Sequence, residues 1–124
     1  MQAFNLPKSN DEEKATRDKA IQDATRFAIE IPFKVMETSL HSMEVIKAMV
    51  LTGNPNSITD AGVAALCART AVLGAFMNVK INASGYRDKA YVIDIIYRGN
   101  EIERKIIALE AEIIELVNGK IGVE

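Results

Sequence analysis

Few side chains in this sequence are equipped for catalysis, and their scarcity excludes several chemistries. There is one histidine, His41, and one cysteine, Cys67. A metal site needing two or more histidines from one chain is excluded, and no metal is expected. A hydrolytic triad would have to be built on His41 alone. No Gly-rich phosphate loop, H-E-x-x-H, C-x-x-C or G-x-S-x-G motif occurs. His41, flanked by Leu40 and Ser42, reads as a surface or structural histidine, with general acid–base work as the competing role. Cys67 lies one heptad from both Asp60 and Gly74 and reads as a small buried hydrophobe. Met36, Met43, Met49 and Met77 fall at helical spacing and read as core packing.

A polar set in an Ala- and Gly-rich segment is more informative. Asp60, Arg69, Asn78, Lys80 and Asn82 interrupt it, and Gly53-Asn54-Pro55-Asn56-Ser57 runs directly into Asp60. Burying such groups costs free energy unless they are paired. Asn78 and Asn82 are one helical turn apart and share a face. Two readings stand side by side. In one, the asparagines bond to neighbouring helices and Asp60 only caps. In the other, the set forms a polar ligand pocket at a helix junction, with Arg69 and Lys80 as a cationic rim for carboxylates.

Three long helices must position these residues. Ser9 followed by Glu12 fits a capping box that opens the first. Its apolar stripe runs Ile21, Ala24, Ala28, Ile31, Val35, then Ser39, Ser42, Ile46 and Met49. A second row, Met36, Leu40 and Met43, lies beside it. Pro32 should kink this helix or split it. Gly53-Asn54-Pro55-Asn56 breaks the chain, and Ser57 with Asp60 signals a second helix, small-residued and central. After the turn at Ala83-Ser84-Gly85, a third helix is expected from about Tyr86 to Asn118. Its stripe is Val92, Ile95, Ile102, Ile106, Leu109, Ile113 and Leu116, close to a coiled-coil seam. Its charged positions, Glu110 among them, read as solvated, and Gly119 and Gly122 end it. No β pattern or repeat competes.

The chain has 124 residues, enough for a single domain. Its net charge of −2 gives no reason to expect nucleic acid or an anionic membrane as partner. The start has no secretory character. The most apolar stretch, Ala61 to Val79, is interrupted by Arg69, and a lone cysteine suits a reducing compartment, so the expectation is a cytoplasmic protein. A helix from Asn10 to Leu51 would be roughly 60 Å long, against a diameter of roughly 35 Å for a compact globule of this size. The expected fold is therefore all-α, an extended bundle of long helices completed by another polypeptide.

The run Gly53-Asn54-Pro55-Asn56-Ser57-Ile58-Thr59-Asp60-Ala61-Gly62-Val63-Ala64-Ala65-Leu66 resembles a signature of the cyclodeaminase/cyclohydrolase family. That family includes the cyclodeaminase domain of formiminotransferase-cyclodeaminase and stand-alone methenyltetrahydrofolate cyclohydrolases. Gly74-Ala75-Phe76-Met77-Asn78-Val79-Lys80-Ile81-Asn82 resembles its second block, and Ala3 to Lys8, the run to Lys14 and Ala20 to Pro32 are also similar. The resemblance implies an all-α fold that forms a homodimer, with a tetrahydrofolate derivative as substrate and no bound cofactor. It implies opening of the methenyl bridge by water, or closure of a formimino group with loss of ammonia. On that basis Asp60 is the candidate catalytic residue. Asn54, Asn78 and Asn82 are candidates for pterin or water, and Lys80 or Arg69 for the glutamate tail. Nothing here resembles the Gly-rich segment near the start of that domain. Residues 1–124 therefore read as one helical domain, the C-terminal part of a larger one. The alternative is a non-catalytic helical oligomerisation module derived from that family.

Overall fold

The computed structural model describes residues 2–122. Three helices carry them: α1 (Asp11–Thr52), α2 (Ile58–Ala83) and α3 (Lys89–Ile121), with 3-10 turns at Gln2–Asn5 and Pro55–Ser57. No strand occurs among the described residues, so the fold is all-α.

Helix α1 starts one residue later than its sequence signal. Asn10 is the N-cap, its Oδ1 accepting from the Glu13 N–H at 2.8 Å, while the Ser9 N–H donates to Glu13 Oε2 at 2.9 Å. The reciprocal capping logic holds, with Asn10 and Glu13 replacing Ser9 and Glu12. The helix then runs 42 residues, about 63 Å, without splitting at Pro32.

Of its two apolar rows, the one inside is Ile29, Phe33, Met36, Met43 and Val50. The stripe through Ile31 and Val35 faces outward, at 49 % and 44 % exposed. Phe33 and the methionines fill more of the space between helices than Ala28 or Ser39 can, and that volume decides which row turns in. Met36 and Met43 are core as expected; Met49 and Met77 are exposed.

Helix α2 lies between α1 and α3. Its small residues allow the close approach: Val117 Cγ1 sits 3.2 Å from where a Cβ on Gly62 would lie. Ala65, Ala68, Val72, Ala75, Phe76, Val79 and Ala83 are buried with it. Cys67 is exposed, not buried, because it faces away from both neighbouring helices. Ser57 occupies the N-cap but makes no side-chain cap bond; the preceding 3-10 turn, held by Asn54 Oδ1 accepting from the Asn56 N–H, does the starting instead. By length and composition Pro55–Ala83 is apolar enough to cross a membrane, and Arg69 does not remove that property.

Helix α3 begins at Lys89, after Asp88 caps it by accepting from the Tyr91 N–H. Tyr86, expected inside the helix, is buried in the turn before it. The stripe faces the core as its spacing requires: Ile95, Ile106 and Ile113 are buried, and Val92, Ile102, Leu109 and Leu116 pack against them. Gly119 stays helical, and Gly122, at φ 78°, ends the helix in the left-handed conformation glycine favours.

The α2–α3 turn is tied to α1. Gln22 Oε1 accepts from the Arg87 N–H at 3.0 Å, and Gln22 Nε2 donates to the Gly85 carbonyl at 3.3 Å. Arg87 pairs with Asp18. The Arg26 guanidinium lies 4.5 Å over the Tyr91 ring, which meets Tyr86 edge-on. These ties set where the end of α2 lies against the N-terminal half of α1.

Candidate functional site

That junction carries an open groove of about 700 Å³. One wall is α1, through Phe27, Ala28, Ile31, Pro32 and Val35; the other is α2, through Thr70, Ala71, Gly74 and Ala75. The walls are apolar because the outward stripe of α1 meets the smallest side chains of α2. Asn78 and Asn82 add amides at one end. A larger recess of about 1160 Å³ near Lys120 is lined by α3 alone, and one helix does not enclose a ligand.

Asn82 is half-buried and its Nδ2 donates twice, to the Asn78 carbonyl at 2.8 Å and to the Ala28 carbonyl of α1 at 3.4 Å. Asn78 is exposed, one turn earlier. The functional and structural readings of the asparagine pair therefore divide: Asn82 bonds a neighbouring helix, and Asn78 is open to the groove.

The other expected site residues do not join them. Arg69 turns to α3, donating to Glu110 Oε2 at 3.0 Å. Glu110, expected on a solvated face, is only 8 % exposed, so Arg69 is the partner of a buried carboxylate and not part of a cationic rim. Lys80 lies with its Nζ 4.4 Å from the centre of the Phe76 ring, a cation–π contact that leaves its charge near solvent. Asn54 caps the 3-10 turn. Asp60 is exposed on the first turn of α2, eighteen residues from Asn78, or about 27 Å along the axis. Asp60 and Asn78 thus share a face of α2 but not a pocket within one chain. His41 is exposed.

Flanking the groove, hydrogen bonding to Glu30 and then to Tyr86 raises the pKa of Arg26. The Tyr91 phenol is also pushed up, first by burial and then by the nearby Glu30 charge. Both groups therefore stay in their neutral-pH forms.

Most of the α1 wall was expected in the core: Ala28, Ile31 and Val35 belong to the stripe that faces outward, and only Phe27, four residues before Ile31, was not singled out. Two apolar rows on one helix, more than the core needs, were the available signal.

A family model described as formiminotransferase-cyclodeaminase matches residues 1–100. The chain belongs to the formiminotransferase-cyclodeaminase family. Its sequence is 34 % identical to a methenyltetrahydrofolate cyclohydrolase of Methylorubrum extorquens, over 98 % of this chain and 59 % of that protein. It is 33 % identical to the formimidoyltransferase-cyclodeaminase of Mus musculus over 73 % of this chain and 17 % of that protein. The protein of the same name from Sus scrofa is 33 % identical over 79 % of this chain and 18 % of its own length. The chain therefore spans about three fifths of the cyclohydrolase and under a fifth of those longer family members. The matched region takes in all of α1 and α2, hence both walls of the groove.

Proposed function

We propose that this chain serves tetrahydrofolate one-carbon metabolism, as a methenyltetrahydrofolate cyclohydrolase or a formiminotetrahydrofolate cyclodeaminase. The observation that carries the proposal is the groove with an asparagine pair at its end, in a chain whose relatives are named for those two reactions. A pterin is flat, apolar on its faces and polar on its edge. The walls of the groove suit the faces and the amides suit the edge.

Neither reaction needs a metal or a bound cofactor. In the cyclohydrolase reaction, water adds to the cationic methenyl carbon and loses a proton. One C–N bond of the resulting tetrahedral carbon then breaks, that nitrogen takes a proton, the hydroxyl gives one up, and a formyl group remains. In the cyclodeaminase reaction, the neighbouring nitrogen attacks the formimino carbon and loses its proton, the imino nitrogen takes up two protons, and ammonia departs to leave a methenyl cation. The protein's task is to position the ring, take and return protons, and stabilise developing charge. Asn78 is the residue best placed to orient water or the ring edge. Lys80, two residues on, rests over Phe76 outside the groove, so a glutamate tail would meet it only beyond the groove's Asn82 end.

Asp60 remains the proton-handling candidate only in a homodimer, which is part of the proposal. A second copy of α2 crossing antiparallel would set Asp60 of the partner subunit beside Asn78, since the two positions share one face.

A second reading has an observation in its favour. The distance of Asp60 from the groove and the exposed apolar side chains fit a helical oligomerisation module without activity. Loss of methenyltetrahydrofolate absorbance separates the two. The purified chain should speed that loss above the spontaneous rate, saturating with substrate. No acceleration, together with no heat on titrating folate into the chain, would reject the enzymatic reading.

A further inference from the structure

Pro32 has no backbone N–H, so the Ala28 carbonyl four residues earlier loses its helical donor. Inside a helix a proline ring also clashes with the carbonyl four residues earlier. The replacement donor comes from a different helix: Asn82 Nδ2 reaches the Ala28 carbonyl while also donating to the Asn78 carbonyl. A side-chain amide has two N–H donors and one oxygen acceptor. Both donors of Asn82 are therefore committed to backbone carbonyls, and two partners on two helices fix its orientation. Only Oδ1 is left for a ligand. Ala28, Pro32 and Asn82 all line the groove.

We infer that Asn82 is a positioning and specificity residue whose amide Pro32 locks, so that this end of the groove offers a hydrogen-bond acceptor and selects heterocycles carrying N–H donors over those lacking them. The inference rests on the reading that the groove takes a pterin, whose amino and ring N–H groups are such donors. The same locking makes the pair a unit: replacing Pro32 returns a backbone N–H to the Ala28 carbonyl and frees the amide to present either end.

The test is a double-variant cycle read in two ways. In urea unfolding, Asn82→Ala should destabilise the wild-type chain and cost clearly less beside Pro32→Ala, where the helix supplies the missing donor. Additive effects would overturn the locking. The double variant Pro32→Ala/Asn82→Ala then isolates ligand selection from folding. By calorimetry, the wild-type chain should prefer tetrahydrofolate over its 2-desamino-2-methyl analogue by about tenfold, the effect of one lost hydrogen bond. In the double variant that preference should fall to near unity. Retention of the preference would overturn the specificity role with the pterin reading intact. Failure of wild type to bind tetrahydrofolate would overturn the pterin reading and the specificity role, whatever the unfolding cycle shows.

Discussion

Arg69 and Glu110 meet at 3.0 Å across the α2–α3 interface, the carboxylate nearly buried and the guanidinium partly in water. Removing the arginine leaves a desolvated carboxylate without its partner, which is costly in a way that exposed ion pairs are not. Arg69→Met should lower unfolding stability by about 2–3 kcal/mol, and Arg69→Met/Glu110→Leu should recover most of it in urea melts. If folate affinity fell at unchanged stability, Arg69 would belong to the site after all. Side-chain direction was legible in the shared face of Asn78 and Asn82, because two amides one turn apart in a helix point the same way, and both line the groove. It was not legible at Arg69, because the partner lies forty-one positions away among charged positions of α3 that read as solvated. Nor was it legible at Cys67: an Ala-rich helix reads as buried on all sides, and nothing local says which side lacks a neighbour.

Helices were legible wherever one apolar row stood alone. The seam of α3 from Val92 to Leu116 packs as its spacing demands. Helix α1 has two rows, and local periodicity does not rank them; the volume of Phe33, Met36 and Met43 does. The proline reads as a kink or a split when its missing donor is counted within α1 alone, whereas the compensating N–H arrives from α2. The packing of α2 on α3 depends on a residue with no side chain. A Cβ at Gly99 would lie 2.4 Å from Phe76 Cε1, far inside contact distance. Gly99→Ala should therefore cost about 1–3 kcal/mol through displacement of a fully buried ring. A thermal melt unchanged by that substitution would mean that α2 and α3 are not packed this closely.

At the scale of the whole molecule, three long helices make a layer thinner than it is long. Helix α1 alone spans about 63 Å, so much of its length and that of α2 lacks a third neighbour. Leu66, Met77 and Ile81 on α2 join Phe27, Ile31 and Val35 on α1 as exposed apolar groups, Ile81 at 69 %. A concentration of exposed apolar side chains on two adjacent helices points to an interaction face. In sedimentation experiments the chain should exceed its 13.6 kDa monomer mass in a concentration-dependent way, and Leu66→Glu should weaken that association at least several-fold. A chain monomeric at all concentrations would remove the dimer from the proposal and with it any role for Asp60 beside Asn78. The groove itself needs no second copy, so ligand mapping on the chain tests it most directly. Titrating 5-formyltetrahydrofolate into the 15N-labelled protein should shift the side-chain amides of Asn78 and Asn82 and the backbone signals of Ala28, Ala71 and Gly74, all saturating together. Shifts centred on Asn54 and Asp60, or none at saturating ligand, would contradict the placement of folate between α1 and α2.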